Sequence, residues 1–234
     1  MQCTVISNVG DKTENYEEYA LYGGMPLVLF RKTEDDKFKY LSSLFEEVYF
    51  KDIIERYQVG LPEVLSELTD DLCSSVGSLT NAAKIANTLQ SVKGIKVDGG
   101  IIASYLIYLS ESFLFCQAKR YDVKGKKYFS YPSKYYCSDI GLRNVRLNLQ
   151  QQEETHIMEN IMYNELVCRG YSVSALSLDN PQKEKTELRP LHGVKGFFRK
   201  ILVTKSGMKP WFDEEGILRL GLYEFLLNPD ALDL

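Results

Sequence analysis

In the first third of the chain apolar residues recur every three or four positions, the spacing of one face of a helix. The stretch "ENYEEYALYGGMP" predicts a short amphipathic helix stopped by Gly23-Gly24 and Pro26. In "DKFKYLSSLFEEVYFKDIIERY", Tyr40, Leu41, Leu44, Phe45, Val48, Tyr49 and Ile53 fall on one stripe and predict a longer helix. "LPEVLSELTDDLCSSVG" adds another, opened by Pro62 in its first turn and ended at Gly77.

From residue 78 the pattern changes. "SLTNAAKIANTLQSV" predicts a helix capped by Ser78 or Thr80, with Ala82, Ile85 and Leu89 turned inward. After a break at "KGIK", Asp98 is placed to cap "GGIIASYLIYLSESF", where Ile102, Tyr105, Leu106, Leu109 and Phe113 form one stripe. "LFCQAKRYDVKGKKYFSYP" then reads as two strands about a turn at Lys124-Gly125. Helix, turn, helix and a basic two-stranded hairpin is the sequence order of a winged helix-turn-helix. Further on, "HIMENIMYNELVCRGYSV" predicts a helix ended by Gly170 and then a strand, and "DNPQKEKTELRPLHG" a polar loop. "FFRKILVTKSG" and "GILRLGLYEFLL" predict strands, the second leading into a closing helical turn, joined by "MKPWFDEE".

Charge sharpens this outline. The 234 residues carry a net charge of -4, unevenly placed. Residues 1–75 hold 7 Lys/Arg against 15 Asp/Glu, residues 76–150 hold 11 against 4, and residues 151–234 hold 10 against 13. The predicted winged helix is therefore a basic segment between acidic flanks, a local field that the overall charge conceals. Composition is that of an ordinary globular protein, 44% hydrophobic and 26% charged. Apolar runs such as "MPLVLF" are far short of the ~20 residues that span a bilayer. The opening "MQCTVISNVGDKTENYEEY" lacks the basic-then-apolar order of a secretory signal. Five widely spaced cysteines without a C-x-x-C pair read as reduced thiols, so the expected location is cytoplasmic, away from membranes.

Chemistry-bearing motifs are few. A phosphate-cradling P-loop needs G-x-x-x-x-G-K-[ST], but Gly125-Lys126 is followed by Lys127 and residue 120 is Arg. The acids of "PWFDEEG" follow no apolar strand end that would hold magnesium. The two histidines, His156 and His192, stand at no ligand spacing from a cysteine. Glu159 and Glu165 lie six apart on a predicted helix, on different faces, and read as solvated or salt-bridged carboxylates. No catalytic group, metal site or cofactor is expected.

The hairpin is the strongest candidate. Lys119, Arg120, Lys124, Lys126, Lys127 and Lys134 lie within 16 residues, interleaved with Tyr121, Tyr128, Phe129 and Tyr131, and Arg143 follows. Strand alternation places cations on one side and aromatics against the body, so that a wing of this kind contacts phosphates without reading sequence. The competing reading is a solvated edge whose lysines block strand-to-strand association. Base reading is disfavoured, because the second helix opens with "VDGGIIAS", where Asp98 repels phosphate and Ser104 is the main polar group.

Several stretches together resemble one family of bacterial and archaeal AAA-type ATPases: "YGGMP", "KDIIERY", "YLIYLSESFLF", "RYDVKGKKYF", "KYYCSDIGLRN" and "ENIMYNELVCRGY". The ending "RKILVTKSGMKPWFDEEGILRLGLYEFLLNP" resembles the same family, so that the likeness covers nearly all of residues 16–230. The resemblance implies a helical lid over residues 1–75, a winged helix-turn-helix over 76–145 and a restriction-endonuclease-like part over 146–234. It also implies two losses, since the ATPase core has no P-loop here and the last part is shortened around "DNPQKEKTELRPL". Such nuclease folds place an Asp on one strand and E-x-K on the next to hold a divalent metal. Between Tyr171 and Phe197 neither stands, and only Glu159 matches the family's helix Glu.

The expectation is thus an α+β protein without catalysis of its own, binding duplex DNA through Lys119, Arg120, Lys124, Lys126, Lys127, Lys134 and Arg143. The alternatives are a module that docks an ATPase core or another copy of itself and, less favoured, a metal-dependent nuclease.

Overall fold

The computed structural model describes residues 11–119, 132–150, 153–173, 200–205 and 209–233. The fold is α+β, as expected, and divides into two compact units, Met1–Leu176 and Ser177–Leu234. The division falls at 176/177, not at 145/146. Nor does a boundary fall at 75/76, because one apolar core runs from Tyr22 through Leu65, Leu68, Ile102 and Phe115 to Val145. The helical first third and the basic middle share this core and are one body.

In the first unit α1 (Lys12–Tyr22) is capped by Asp11 and ends at Gly23, whose φ of 73° suits glycine. A tight 3₁₀ turn, Pro26–Phe30, follows. The long predicted helix is α2 (Glu34–Ser43), a π-helical stretch Leu44–Phe50 and α3 (Lys51–Tyr57) in one run. It is capped by Thr33 and stopped by Gln58 in the left-handed region. Next, α4 (Pro62–Ser74) buries Val64, Leu65, Leu68 and Leu72 on one face.

On the same helix the half-buried Asp71 has its carboxyl pushed up by burial, with Lys84 opposing. The native chain therefore holds this proton to higher pH than the unfolded chain does. The associated stability is fullest below the ordinary carboxylate pKa of ~4 and is lost as pH rises through the raised native value. Asp71→Asn is expected to raise the urea midpoint at pH 7 and to leave it unchanged near pH 3.

A short strand, β1 (Leu79–Thr80), stands where sequence suggested a helix cap; the cap of α5 (Ala82–Thr88) is Asn81, whose side chain accepts from the Lys84 amide. Thr80 is extended because it pairs with Ser133. After a π-helical turn, Leu89–Lys93, and Gly94 in the left-handed region, Asp98 caps α6 (Gly99–Glu111) as expected, its carboxylate accepting from the Gly100 amide at 2.7 Å. Two strands then pair antiparallel, β2 (Phe115–Ala118) and β3 (Ser133–Cys137), giving a sheet in the order β1-β3-β2. The described return strand is "SKYYC"; residues 120–131, where the sequence placed the return, lie outside the described residues. The expected turn at Lys124-Gly125 lies outside the described residues.

Period-two alternation sets the two faces of this sheet. Phe115, Tyr135 and Cys137 face the main core, while Cys116, Ala118 and Tyr136 face α8 (Glu154–Cys168), where Tyr136 stacks on Tyr163 with ring centres 4.0 Å apart. The buried Asn160 of α8 extends the sheet like a further strand. Its amide oxygen accepts from the Cys137 N–H and its amide nitrogen donates to the Cys137 carbonyl, both at 2.8 Å. Gly170, at φ 84°, follows α8, and no strand is found at 171–173.

Between β3 and α8 runs α7 (Ile140–Arg146), and its "SDIGLRN" sequence is a polar latch. Asp139 accepts from Gly141 N–H at 2.9 Å, Leu142 N–H at 3.2 Å and Gly24 N–H at 2.8 Å. Asn144 donates to the carbonyls of Ala20 and Leu21, closing the end of α1. Arg146 binds Asp70 and Glu46 and lies over the rings of Phe45 and Phe50. The two most conspicuous stretches, "YGGMP" and "CSDIGLRN", are therefore the two halves of one structural joint.

In the second unit β4 (Ile201–Thr204) runs parallel to β6 (Leu218–Gly221), and β5 (Trp211–Phe212) antiparallel to it. Asp213 ties the β5–β6 turn by accepting from Ile217 N–H, Glu215 N–H and Arg219 Nε; the guanidinium holds its carboxyl below the usual range. The chain then enters α9 (Leu222–Leu227), which buries Leu222, Phe225 and Leu226. The "DNPQKEKTELRPL" segment, where a deletion was suspected, lies outside the described residues.

Candidate nucleic-acid interface

The seven cations singled out from sequence part company in the structure. Lys119 follows the last residue of β2, is exposed, and forms no ion pair among the described residues. Arg120, Lys124, Lys126 and Lys127, which join β2 to β3 along the chain, lie outside the described residues.

Lys134 and Arg143 are corrected. Lys134 alternates onto the α8 side of the sheet, where its ammonium meets the Glu159 carboxylate at 2.7 Å and the side chain is 23% exposed. The same Glu159 oxygen accepts from Tyr136 O–H at 2.7 Å. Burial and this carboxylate push the Tyr136 phenol far above its ordinary range, so it stays a donor. Arg143 is 1% exposed. Its Nε donates to the Cys73 carbonyl and its Nη1 to Asn144 Oδ1, both at 2.9 Å, and burial lowers its pKa. It satisfies the end of α4 from inside the core and presents nothing to a polyanion.

One cation was missed. Lys96, in the turn between α5 and α6, is exposed and forms no ion pair among the described residues. Its neighbours are engaged: Lys93 pairs with Glu67 at 3.2 Å, and Lys84 donates to the Leu79 carbonyl. The signal was legible in "KGIKVDG", where Gly94 ends one helix and Asp98 starts the next, leaving Lys96 on the tip of the turn. Behind it, α6 turns Gly100, Ala103 and Ile107 to solvent, Ile107 at 54% exposure, and carries no charge until Glu111. Cations thus stand before and after this helix rather than on it.

Several described groups of the kind that take part in bond-breaking chemistry have partners within the fold. His156 Nδ1 donates to the Val76 carbonyl at 2.9 Å, with Glu153 at 3.2 Å from Nε2. The thiols of Cys73 and Cys137 are buried, which pushes both up, Cys137 to about 12. Glu159 and Glu165 do face apart, the latter bound to Arg169 at 2.7 Å. Among the described residues no group of three or more His, Cys, Asp or Glu side chains is placed to hold a metal. No helix among them is long and apolar enough to cross a membrane.

Residues 13–153 match a family defined by a domain of unknown function (DUF8612), and the chain belongs to that family. The matched span runs from α1 through α7, which is the main core together with its latch. Over 167 residues the chain is 36% identical to an uncharacterized protein of Haemophilus influenzae (strain Rd), covering 71% of this chain and 41% of that protein. The chain accordingly spans about two fifths of the length of that curated relative. No solved structure matches.

Proposed function

We propose that this chain is a non-catalytic binding module, corresponding to the C-terminal part of an AAA-type ATPase, that grips duplex DNA by its phosphates. The observation that carries the reading is the order of elements around the basic run. Helix α4, strand β1, helices α5 and α6, and strands β2 and β3 in the sheet β1-β3-β2 follow the order of a winged helix-turn-helix. The segment that joins β2 to β3 takes the place of the wing. It carries Lys119, Arg120, Lys124, Lys126 and Lys127 against the single acid Asp122. Lys96 adds a cation on the turn before α6. The uncharged outer face of α6 disfavours hydrogen-bonded base readout, so affinity rests on backbone charge. The greater length of the Haemophilus influenzae relative leaves room for a further domain in that protein, as a C-terminal module would require.

The test is a salt titration of the full chain with labelled duplexes of unrelated sequence, read by fluorescence anisotropy. About five phosphate contacts give a slope of log K against log salt near -4.5, so affinity drops roughly 500-fold between ~50 and ~200 mM. The unrelated duplexes are expected to agree within a few-fold. No binding at the low-salt end, or binding indifferent to salt, overturns the reading. A protein-contact role is favoured by one separate observation, the exposed apolar turn at Pro26–Phe30.

A further inference from the structure

We propose that the 3₁₀ turn Pro26–Phe30, with Lys32 and Glu34 beside it, is the centre of a two-fold contact between two copies of this chain. The inference does not depend on the DNA reading. A 3₁₀ helix has three residues per turn, so side chains at i and i+3 lie one above the other and the turn has three faces. Val28 alone forms the first face and is 3% exposed, anchoring the turn in the core. Pro26 and Leu29 share the second, Leu27 and Phe30 the third. Leu27, Leu29 and Phe30 are 51%, 56% and 78% exposed. Two of three faces of a closed turn are thus apolar and open to water. The turn is fixed rather than loose: Val28 N–H donates to the Met25 carbonyl, Arg31 N–H donates to the Val28 carbonyl, and the Arg31 guanidinium lies 5.1 Å from the centre of the Tyr40 ring.

The rim identifies the occupant. Lys32 and Glu34 follow the turn directly, both exposed, and neither forms an ion pair among the described residues. Nearby charges are engaged within the chain, Lys37 with Glu18 and Lys39 with Asp35. A rim of one sign calls for a partner of the other sign. A rim whose exposed charges of both signs, Arg31 and Lys32 against Glu34 and Asp36, form no ion pair among the described residues matches its own copy across an apolar centre, because a two-fold axis brings residue i against j and j against i. Lys32 of one copy then faces Glu34 of the other, twice, around a centre of Leu27, Leu29 and Phe30. Four apolar side chains per copy fall short of the ~800 Å² a side of a standard interface, so the contact is concentration-dependent, with a dissociation constant weaker than ~1 μM.

Sedimentation equilibrium of the full chain across a wide concentration range tests this. The weight-average mass is expected to climb from 26.8 kDa toward twice that value. Phe30→Glu, at a position outside the core, is expected to raise the dissociation constant ~30-fold or more, the loss associated with a central aromatic anchor. Lys32→Glu is expected to weaken association and Lys32→Glu combined with Glu34→Lys to restore it, with far-UV circular dichroism unchanged throughout. A wild-type chain that stays monomeric overturns the proposal. So does a Phe30→Glu variant that associates like wild type, or a double exchange that fails to recover what the single exchange lost.

Discussion

Gly141→Ala is expected to cost the first unit ~3–5 kcal/mol, at the upper end for a single methyl group. A Cβ on residue 141 would lie 2.0 Å from the Tyr22 carbonyl oxygen, 2.4 Å from the Tyr22 carbonyl carbon and 2.9 Å from the Gly23 nitrogen. All three are backbone atoms, so no side-chain rotation relieves the clash. Moving α7 away from α1 breaks the contacts that hold the joint, since Asp139 loses Gly24 N–H and Asn144 loses the Ala20 and Leu21 carbonyls. Each such buried group left without a partner costs about 1–3 kcal/mol. With a urea dependence of about 2 kcal/mol/M, the midpoint should fall by roughly 1.5–2.5 M. Gly99→Ala is the matched control: a Cβ there meets nothing within 4 Å, and its stability change should stay within about 0.5 kcal/mol. Equal behaviour of the two variants would remove the latch as a structural element.

Reversing Lys124, Lys126 and Lys127 to Glu together should lower duplex affinity by ~10²–10³-fold at ~100 mM salt and flatten the salt slope by about three contacts' worth. Each phosphate contact contributes close to one decade there through counterion release, and the new carboxylates add repulsion. Lys134→Met should change affinity by less than about 3-fold, because its ammonium already meets Glu159. The contrast separates a localised wing from a general effect of net charge. Triple reversal that leaves affinity within about 3-fold of wild type would refute the wing.

Period and cap residues made the helices legible. Asp98, Pro62 and Gly23-Gly24 mark helix ends in both sequence and structure, since each acts on its own few neighbours. What depends on distant pairing was not legible. Thr80 reads locally as a helix cap, but Ser133 recruits it into a strand. "SKYYC" is held in its strand by register against Phe115–Ala118 and by the Asn160 amide, partners that no local pattern announces. Arg143 and Lys134 misled for the same reason. A cation on a basic stretch reads as solvent-facing, yet the partners that draw these two inward, the Cys73 carbonyl and Glu159, come from elements far away in the chain. Lys96 shows the converse, a single lysine on a helix-helix turn whose exposure follows from its flanking stop and start signals.

The Asp139–Gly24 bond spans 115 residues and the Asn144–Ala20 bond 124. At the usual ~5–20 residues per second of synthesis, the ribosome needs roughly 6–23 seconds to deliver Asp139 after Gly24 has been made. Until that moment the end of α1 lacks the partners that α7 supplies to it. Helix α1 therefore completes its docking only late in the synthesis of this body, and a nascent chain released before about residue 144 should be left with α1 incompletely docked and open to chaperones.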